Sequence, residues 1–221
     1  MDGVIIEKTS SFSVSKKIYF IIKRLTDIIF ALLGCILLIP IVLIVKISYI
    51  LNKDFDSIFF KQKRIGKNGK EFNLYKFRTM VVGADEILFK LLEENEEIRE
   101  EYNKNKKLKK APRITKAGNI IRRTSLDEVP QFINVLKGDM SLIGNRPYLP
   151  REKKDMGKYY DTIIKTRPGL TGYWQVSGRS NTSFKKRLKL EEYYSENAGF
   201  IMDLKIFFKT FKVVFFGKDA K

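Results

Sequence analysis

A chain of 221 residues, 44% of them hydrophobic, is long enough for one ordinary core with a membrane element but short for two independent enzyme domains. Its formal charge of +18 points to an anionic partner: nucleic acid, acidic lipid headgroups or a phosphorylated substrate. Histidine is absent and cysteine occurs once, which excludes imidazole-based triads, cysteine-rich metal sites and an intramolecular disulfide. Chemistry therefore falls to Asp, Glu, Lys, Arg, Ser or Tyr, and Cys35, inside an apolar run, reads as a small hydrophobe.

From Ile28 to Val45 no residue is charged. At a helical rise of about 1.5 Å per residue this run reaches about 27 Å, close to the hydrocarbon thickness of a bilayer. It does not read as a cleavable signal, because Lys23 and Arg24 follow a long N-terminal stretch and no small-residue cleavage site comes after it. Pro40 interrupts the run, and basic residues flank it on both sides, Lys23 and Arg24 before, Lys46 and Lys53 after. Residues 16–52 are therefore expected to form a helix, a break at Pro40 and a second helix, dipping into one leaflet with both ends on the cytoplasmic face. A helix that simply crosses the bilayer is the alternative. Residues 1–15 read as an N-terminal tail, and 53–221 as a cytoplasmic catalytic region forming one domain with the membrane segment.

Downstream, aromatic and basic residues alternate between Phe55 and Met80 around the turn residues Gly66 to Gly69, predicting a hairpin with strands near Phe59 and over Phe72 to Phe77. Ala84 to Lys110 carries Ile87, Leu88, Leu91, Leu92 and Ile98 at helical spacing, predicting one amphipathic helix that trails into a lysine-rich loop. Ser125 followed by Glu128 has the pattern of a capping box, for a helix that would stop at Gly138. Asp127 and Glu128 would then lie in its first turn, where the helix N-terminus favours ionised carboxylates. Residues 144–147 and 167–172 read as arginine-bearing loops, and Phe184 to Tyr194 and Met202 to Phe216 as further amphipathic or interfacial helices. The fold class is α+β, mostly helical.

An acidic pair in a first helical turn is by itself usually only favourable with the dipole. Here it lies among guanidinium groups: Arg122 and Arg123 just upstream, Arg146, Arg167 and Arg179 in Gly/Pro loops, and Lys76 and Arg78 closing a strand. Guanidinium forks bind phosphate oxygens bidentately, which suits a diphosphate. A carboxylate that attacks phosphorus needs the charge of both partners neutralised, commonly by magnesium together with Arg or Lys.

The stretch Arg123 to Gln131 (RTSLDEVPQ), with Asn134 to Ser141 (NVLKGDMS), resembles the bacterial sugar transferase family, the monotopic phosphoglycosyl transferases. So do Lys23 to Asp27 (KRLTD), Tyr75 to Met80 (YKFRTM), Arg167 to Val176 (RPGLTGYWQV) and Gly178-Arg179. The resemblance implies a re-entrant membrane helix, an active site on the cytoplasmic face of the bacterial inner membrane, and a magnesium ion. It also implies an Asp-Glu dyad, Asp127 and Glu128, in which Asp127 touches the metal and forms a covalent phosphosugar intermediate. Lys76, Arg78, Arg122 and Arg146 would bind substrate, and Arg179 would lie near the nucleotide or sugar.

The reaction so implied moves a hexose-1-phosphate, galactose-1-phosphate in preference to glucose-1-phosphate, from a UDP-sugar to undecaprenyl phosphate with release of uridine monophosphate. It would be the first membrane step of polysaccharide or glycoconjugate assembly. The chain resembles the minimal catalytic unit of longer relatives, so nothing further upstream is expected to be needed for chemistry. Two positions depart from the family pattern: Ile39 precedes Pro40 where Ser is usual, and Asn145-Arg146-Pro147 stands where Pro-Arg-Pro is usual. The second is expected to loosen the loop holding Arg146, because Asn lacks proline's fixed φ.

A rival from another class is a membrane-tethered binder of nucleic acid or acidic lipid, which would account for the charge without chemistry. It leaves the acidic pair and the loop arginines unexplained, and nucleic acid is not the expected partner. A many-helix transferase without a covalent intermediate would need more long apolar runs than this chain has.

Overall fold

The computed structural model describes residues 6–105, 108, 113–178 and 182–216. Its first element, α1 (Ile6–Leu51), is one helix that contains Pro40. The break expected at Pro40 is therefore absent as an interruption of the helix. A proline removes a single backbone donor, whereas ending the helix within an apolar run would strand several more polar groups. The stretch Lys16–Leu51 is long and apolar enough to cross a membrane.

One stripe of α1 is covered by the rest of the chain. Ala31, Leu38, Val45 and Tyr49 are buried at helical spacing, while Ile36, Leu37, Ile39, Leu43 and Ile44 on the other faces are exposed. Where α1 meets the helix over Gln131–Lys137 the approach is close: a Cβ on Gly34 would fall 2.4 Å from the Phe132 ring.

Strands β1 (Phe59–Ile65) and β2 (Glu71–Phe77) form the expected antiparallel hairpin, Phe59 opposite Phe77 and Ile65 opposite Glu71. Asn68 and Gly69 take positive φ in the connecting turn, as the turn residues predict. The single amphipathic helix expected from Ala84 to Lys110 is two, α2 (Ala84–Glu94) and α3 (Glu96–Asn105). Asn95 between them is extended, and its side-chain oxygen accepts the Ile98 N–H at 3.0 Å, a local bond that starts a new helix. Most of the lysine-rich loop lies outside the described residues.

Helix α4 (Lys116–Arg123) starts at Thr115, whose hydroxyl accepts the Gly118 N–H, and α5 (Gln131–Lys137) stops at Gly138 with φ 83°. Strand β3 (Ser141–Ile143) then pairs in parallel with β4 (Gly169–Thr171), a short ladder inside segments whose Gly and Pro content reads as loop. The short helices α6 (Lys153–Met156) and α7 (Tyr160–Ile163) cross between them. The chain continues through α8 (Tyr173–Ser177), α9 (Phe184–Asn197) and α10 (Phe200–Phe216). The α+β class, mostly helical with a long apolar first helix, is as expected.

The core has several centres. Val45 and Tyr49 of α1 pack with Ile58, Phe77, Ala117 and Ile121. Tyr148, Met156, Ile163, Phe184 and Leu188 pack together in another.

Candidate active site

The capping box does not form. Ser125 adopts a left-handed conformation (φ 56°, ψ 16°), its side chain caps nothing, and residues Leu126–Glu128 make a 3₁₀ turn. The α-helix begins only at Gln131, after Pro130, a residue that favours helix starts. Asp127 and Glu128 are thus held by a tight turn ahead of α5, and the helix-dipole account of their ionisation does not apply.

That turn brings both carboxylates to Lys76 on β2. The Lys76 ammonium donates to Glu128 Oε1 at 2.8 Å and lies 3.6 Å from Asp127 Oδ2. The hairpin is registered against the turn by Asn134 of α5, which is fully buried. Its amide donates to the Asn73 carbonyl at 2.7 Å and its side-chain oxygen accepts the Tyr75 N–H at 2.9 Å. Sequence reasoning missed Asn134; the signal is a polar residue on the apolar face of a predicted helix.

Electrostatics separates the two acids. Burial, with the neighbouring Glu128 charge, raises the Asp127 carboxyl above the ordinary aspartate range, although Lys76 and Arg122 pull the other way. Desolvation would raise Glu128 too, but Lys76, Arg146 and Arg64 outweigh it and hold that carboxyl low. Glu128 is therefore the settled anion of the pair, and Asp127 the less stabilised and more basic one.

Arg146 comes to the same region on the loop after β3. Its guanidinium lies 3.2 Å from Glu152 Oε1 and 5.2 Å from the Tyr148 ring centre, and its backbone N–H donates to Glu191 Oε1 at 3.2 Å. Glu191 is buried, which raises its carboxyl from 4.5 to about 7 against the opposing pull of Tyr148 and Arg146. Arg64 of β1, also missed from sequence, donates to the Pro147 carbonyl at 2.9 Å, and burial with the nearby Arg146 charge lowers it to about 10. In the sequence it is one more basic residue of an alternating strand.

The other expected binding residues divide. Arg122, exposed in the last turn of α4, contributes its charge at Asp127. Arg78 is committed elsewhere: it donates to Asp54 and the Ser57 carbonyl, both at 2.7 Å, and sits over the Tyr49 ring. It joins the end of β2 to the end of α1. Arg179 lies outside the described residues.

Among the described residues no group of three or more His, Cys, Asp or Glu side chains could hold a metal ion. Magnesium is commonly held by one or two carboxylates with substrate phosphates and water completing the set, and the paired Asp127 and Glu128 fit that donor set.

Residues 18–217 match the family model described as bacterial sugar transferase. The chain is 42% identical over 193 residues to the undecaprenyl-phosphate galactose phosphotransferase of Salmonella typhimurium, covering 87% of this chain and 40% of that protein. It is 33% identical over 208 residues to the UDP-glucose:undecaprenyl-phosphate glucose-1-phosphate transferase of Escherichia coli, covering 90% and 41%. Against the exopolysaccharide production protein ExoY of Sinorhizobium fredii it is 38% identical over 192 residues, covering 87% and 84%. The chain belongs to the bacterial sugar transferase family. It spans about two fifths of the two longer relatives, 40% and 41% of their length, and most of ExoY.

Proposed function

We propose that this chain is a phosphoglycosyl transferase that moves a hexose-1-phosphate from a UDP-sugar to undecaprenyl phosphate through a covalent intermediate on Asp127. The carrying observation is the asymmetric dyad: Lys76 engages Glu128 and leaves Asp127 the freer, more basic carboxylate. An Asp127 oxygen forms a bond to the sugar-side phosphorus, and the bond from that phosphorus to the bridging oxygen breaks. Uridine monophosphate leaves with the electron pair. A phosphate oxygen of the lipid then attacks the same phosphorus, forming the diphosphate-linked lipid sugar and returning Asp127 as a carboxylate. No proton need move in either step, which suits a chain without histidine.

In this reading Lys76 and Arg146 stabilise charge on the transferring phosphoryl group and Glu128 holds Lys76 in place. Magnesium, held by Asp127 and the donor's phosphates, would supply further charge neutralisation. Galactose is the proposed sugar, with glucose as the alternative; the named galactose relative is the more similar of the two, at 42% against 33% identity.

The proposed setting is one leaflet of the bacterial inner membrane, with both ends of α1 and the active site on the cytoplasmic side. The support is that α1 is tied to the rest of the chain on both sides of its apolar run. Tyr19 and Lys23 bond Asp203 of α10, and the Tyr49 hydroxyl donates to the Arg78 carbonyl. Thirty residues of straight helix would separate these anchors by about 45 Å. A crossing helix would put them on opposite faces, with the body that carries Asp127 and Lys76 drawn through hydrocarbon. Membership of an enzyme family weighs against the rival nucleic-acid or lipid binder.

The test is release of uridine monophosphate from a panel of UDP-sugars with detergent-solubilised enzyme, undecaprenyl phosphate and magnesium. Release with UDP-galactose that Asp127→Asn abolishes is expected; equal release by Asp127→Asn would remove Asp127 from the chemistry.

A further inference from the structure

The loop that carries Arg146 is not fixed by packing alone. It borders a small cleft lined by Asn145, Arg146, Tyr148, Met156, Thr166 and Pro168 among others. Hydrogen bonds hold it as well, and three of them converge on one side chain. Asn145 is 3% exposed, and its amide nitrogen has three acceptors: Ser195 Oγ at 2.6 Å, the Ile163 carbonyl at 3.2 Å and Thr166 Oγ1 at 3.2 Å. The Asn145 carbonyl accepts the Gly169 N–H at 2.8 Å. The partners come from α7, from the segment before β4, from β4 itself and from α9. The hydroxyls of Thr166 and Ser195 lie 3.5 Å apart, which closes the network.

We propose that Asn145 is a positioning residue: its buried amide locks the loop and thereby sets where the Arg146 guanidinium meets the donor's phosphate. This rests on the reading of Arg146 as a charge-stabilising group. The expectation that Asn loosens this loop is thereby reversed. A proline ring would stiffen only its own φ, whereas a buried carboxamide ties the loop to three other segments. The residue next to such an anchor cannot shift without breaking bonds that buried groups have no water to replace. Displacement of a phosphate-binding group by about 1 Å is enough to cost a large part of a rate.

The test compares Asn145→Ala, Arg146→Ala and the double variant with the parent chain in detergent. Each is measured by uridine monophosphate release with UDP-galactose and undecaprenyl phosphate, alongside its thermal midpoint. Asn145→Ala is expected to lower kcat by about tenfold or more, with the donor KM within about threefold. On the Arg146→Ala background the same change is expected to lower kcat less than about twofold, because the group it positions is gone. An Asn145→Ala kcat within about twofold of the parent, or an equal loss on both backgrounds, overturns the proposal. If Asn145→Ala does not fold, Ser195→Ala, which removes one acceptor, is read against the same two backgrounds with the same criteria. A silent Arg146→Ala would contradict the functional reading of Arg146 itself, a different failure from either of these.

Discussion

The Lys76 ammonium bonds Glu128 at 2.8 Å and stands further, at 3.6 Å, from Asp127. One lysine thus pins one acid of the pair and only shields the other. Buried and less fully compensated, Asp127 keeps its carboxyl above the ordinary aspartate range.

The pH dependence follows in sign. A nucleophilic carboxylate must be ionised, so activity falls as pH drops through the raised Asp127 pKa, and the acid limb of kcat/KM lies above the ordinary aspartate range. Lys76 is the strongest opposing influence on that carboxyl. Lys76→Gln should therefore move the limb to higher pH as well as lowering the plateau. A limb that stays in place in Lys76→Gln would mean that the titrating group is not Asp127.

Arg146→Ala should lower kcat/KM by about 2–4 kcal/mol, as loss of a donor aimed at developing transition-state charge does elsewhere. The measurement is steady-state release of uridine monophosphate. A loss under about threefold would make Arg146 a structural partner of Glu152 only.

Glu191 offers a stability test away from the chemistry. Its folded pKa, about 7, is above the ordinary 4.5, so the folded protein binds the proton more tightly than the unfolded chain does. Its contribution to stability is therefore fully present below about pH 4.5 and is lost as pH rises to about 7, by up to ~3 kcal/mol. Glu191→Gln keeps a side-chain oxygen for the Arg146 N–H and cannot ionise. Its thermal midpoint should vary less between pH 5 and 8 than that of the parent. Identical pH dependence in the two proteins would show that Glu191 is ionised throughout.

The arrangement of α1 is tested by cysteine labelling in right-side-out and inverted vesicles, with Cys35 replaced by Ala. Ser10→Cys and Asp56→Cys should be reached by a membrane-impermeant reagent from the same side. Labelling from opposite sides would establish a crossing helix.

Local chemistry made much of this legible in the sequence. The hairpin showed in its alternation and turn residues, the end of α5 in Gly138, and the helices α9 and α10 in their spacing. The acidic pair and Lys76 stood in stretches whose resemblance to sugar transferases spans most of the chain. What misled was competition between local and tertiary terms. Ser125 has the capping pattern, but Pro130 and the Lys76 contact favour a 3₁₀ turn and a later helix start. Asn95 ends one helix and begins another, where periodicity alone sees one. Arg78 shares a motif with Lys76, yet it follows the last residue of β2, and its side chain meets Asp54 and Tyr49 instead. Arg64, Asn134 and Glu191 owe their roles to partners far away in the chain, which spacing cannot show.

The central claim is that Asp127 is the nucleophile, and the most direct measurement of it omits the lipid acceptor. Enzyme, magnesium and UDP-galactose labelled in the sugar-side phosphate are mixed, and label on the protein and free uridine monophosphate are counted together. The account predicts protein-bound label at up to one per chain, a matching burst of uridine monophosphate, discharge of the label on adding undecaprenyl phosphate, and none of these in Asp127→Asn. A parent enzyme that turns over with lipid but never carries label without it, or an Asp127→Asn variant that labels equally well, would contradict it.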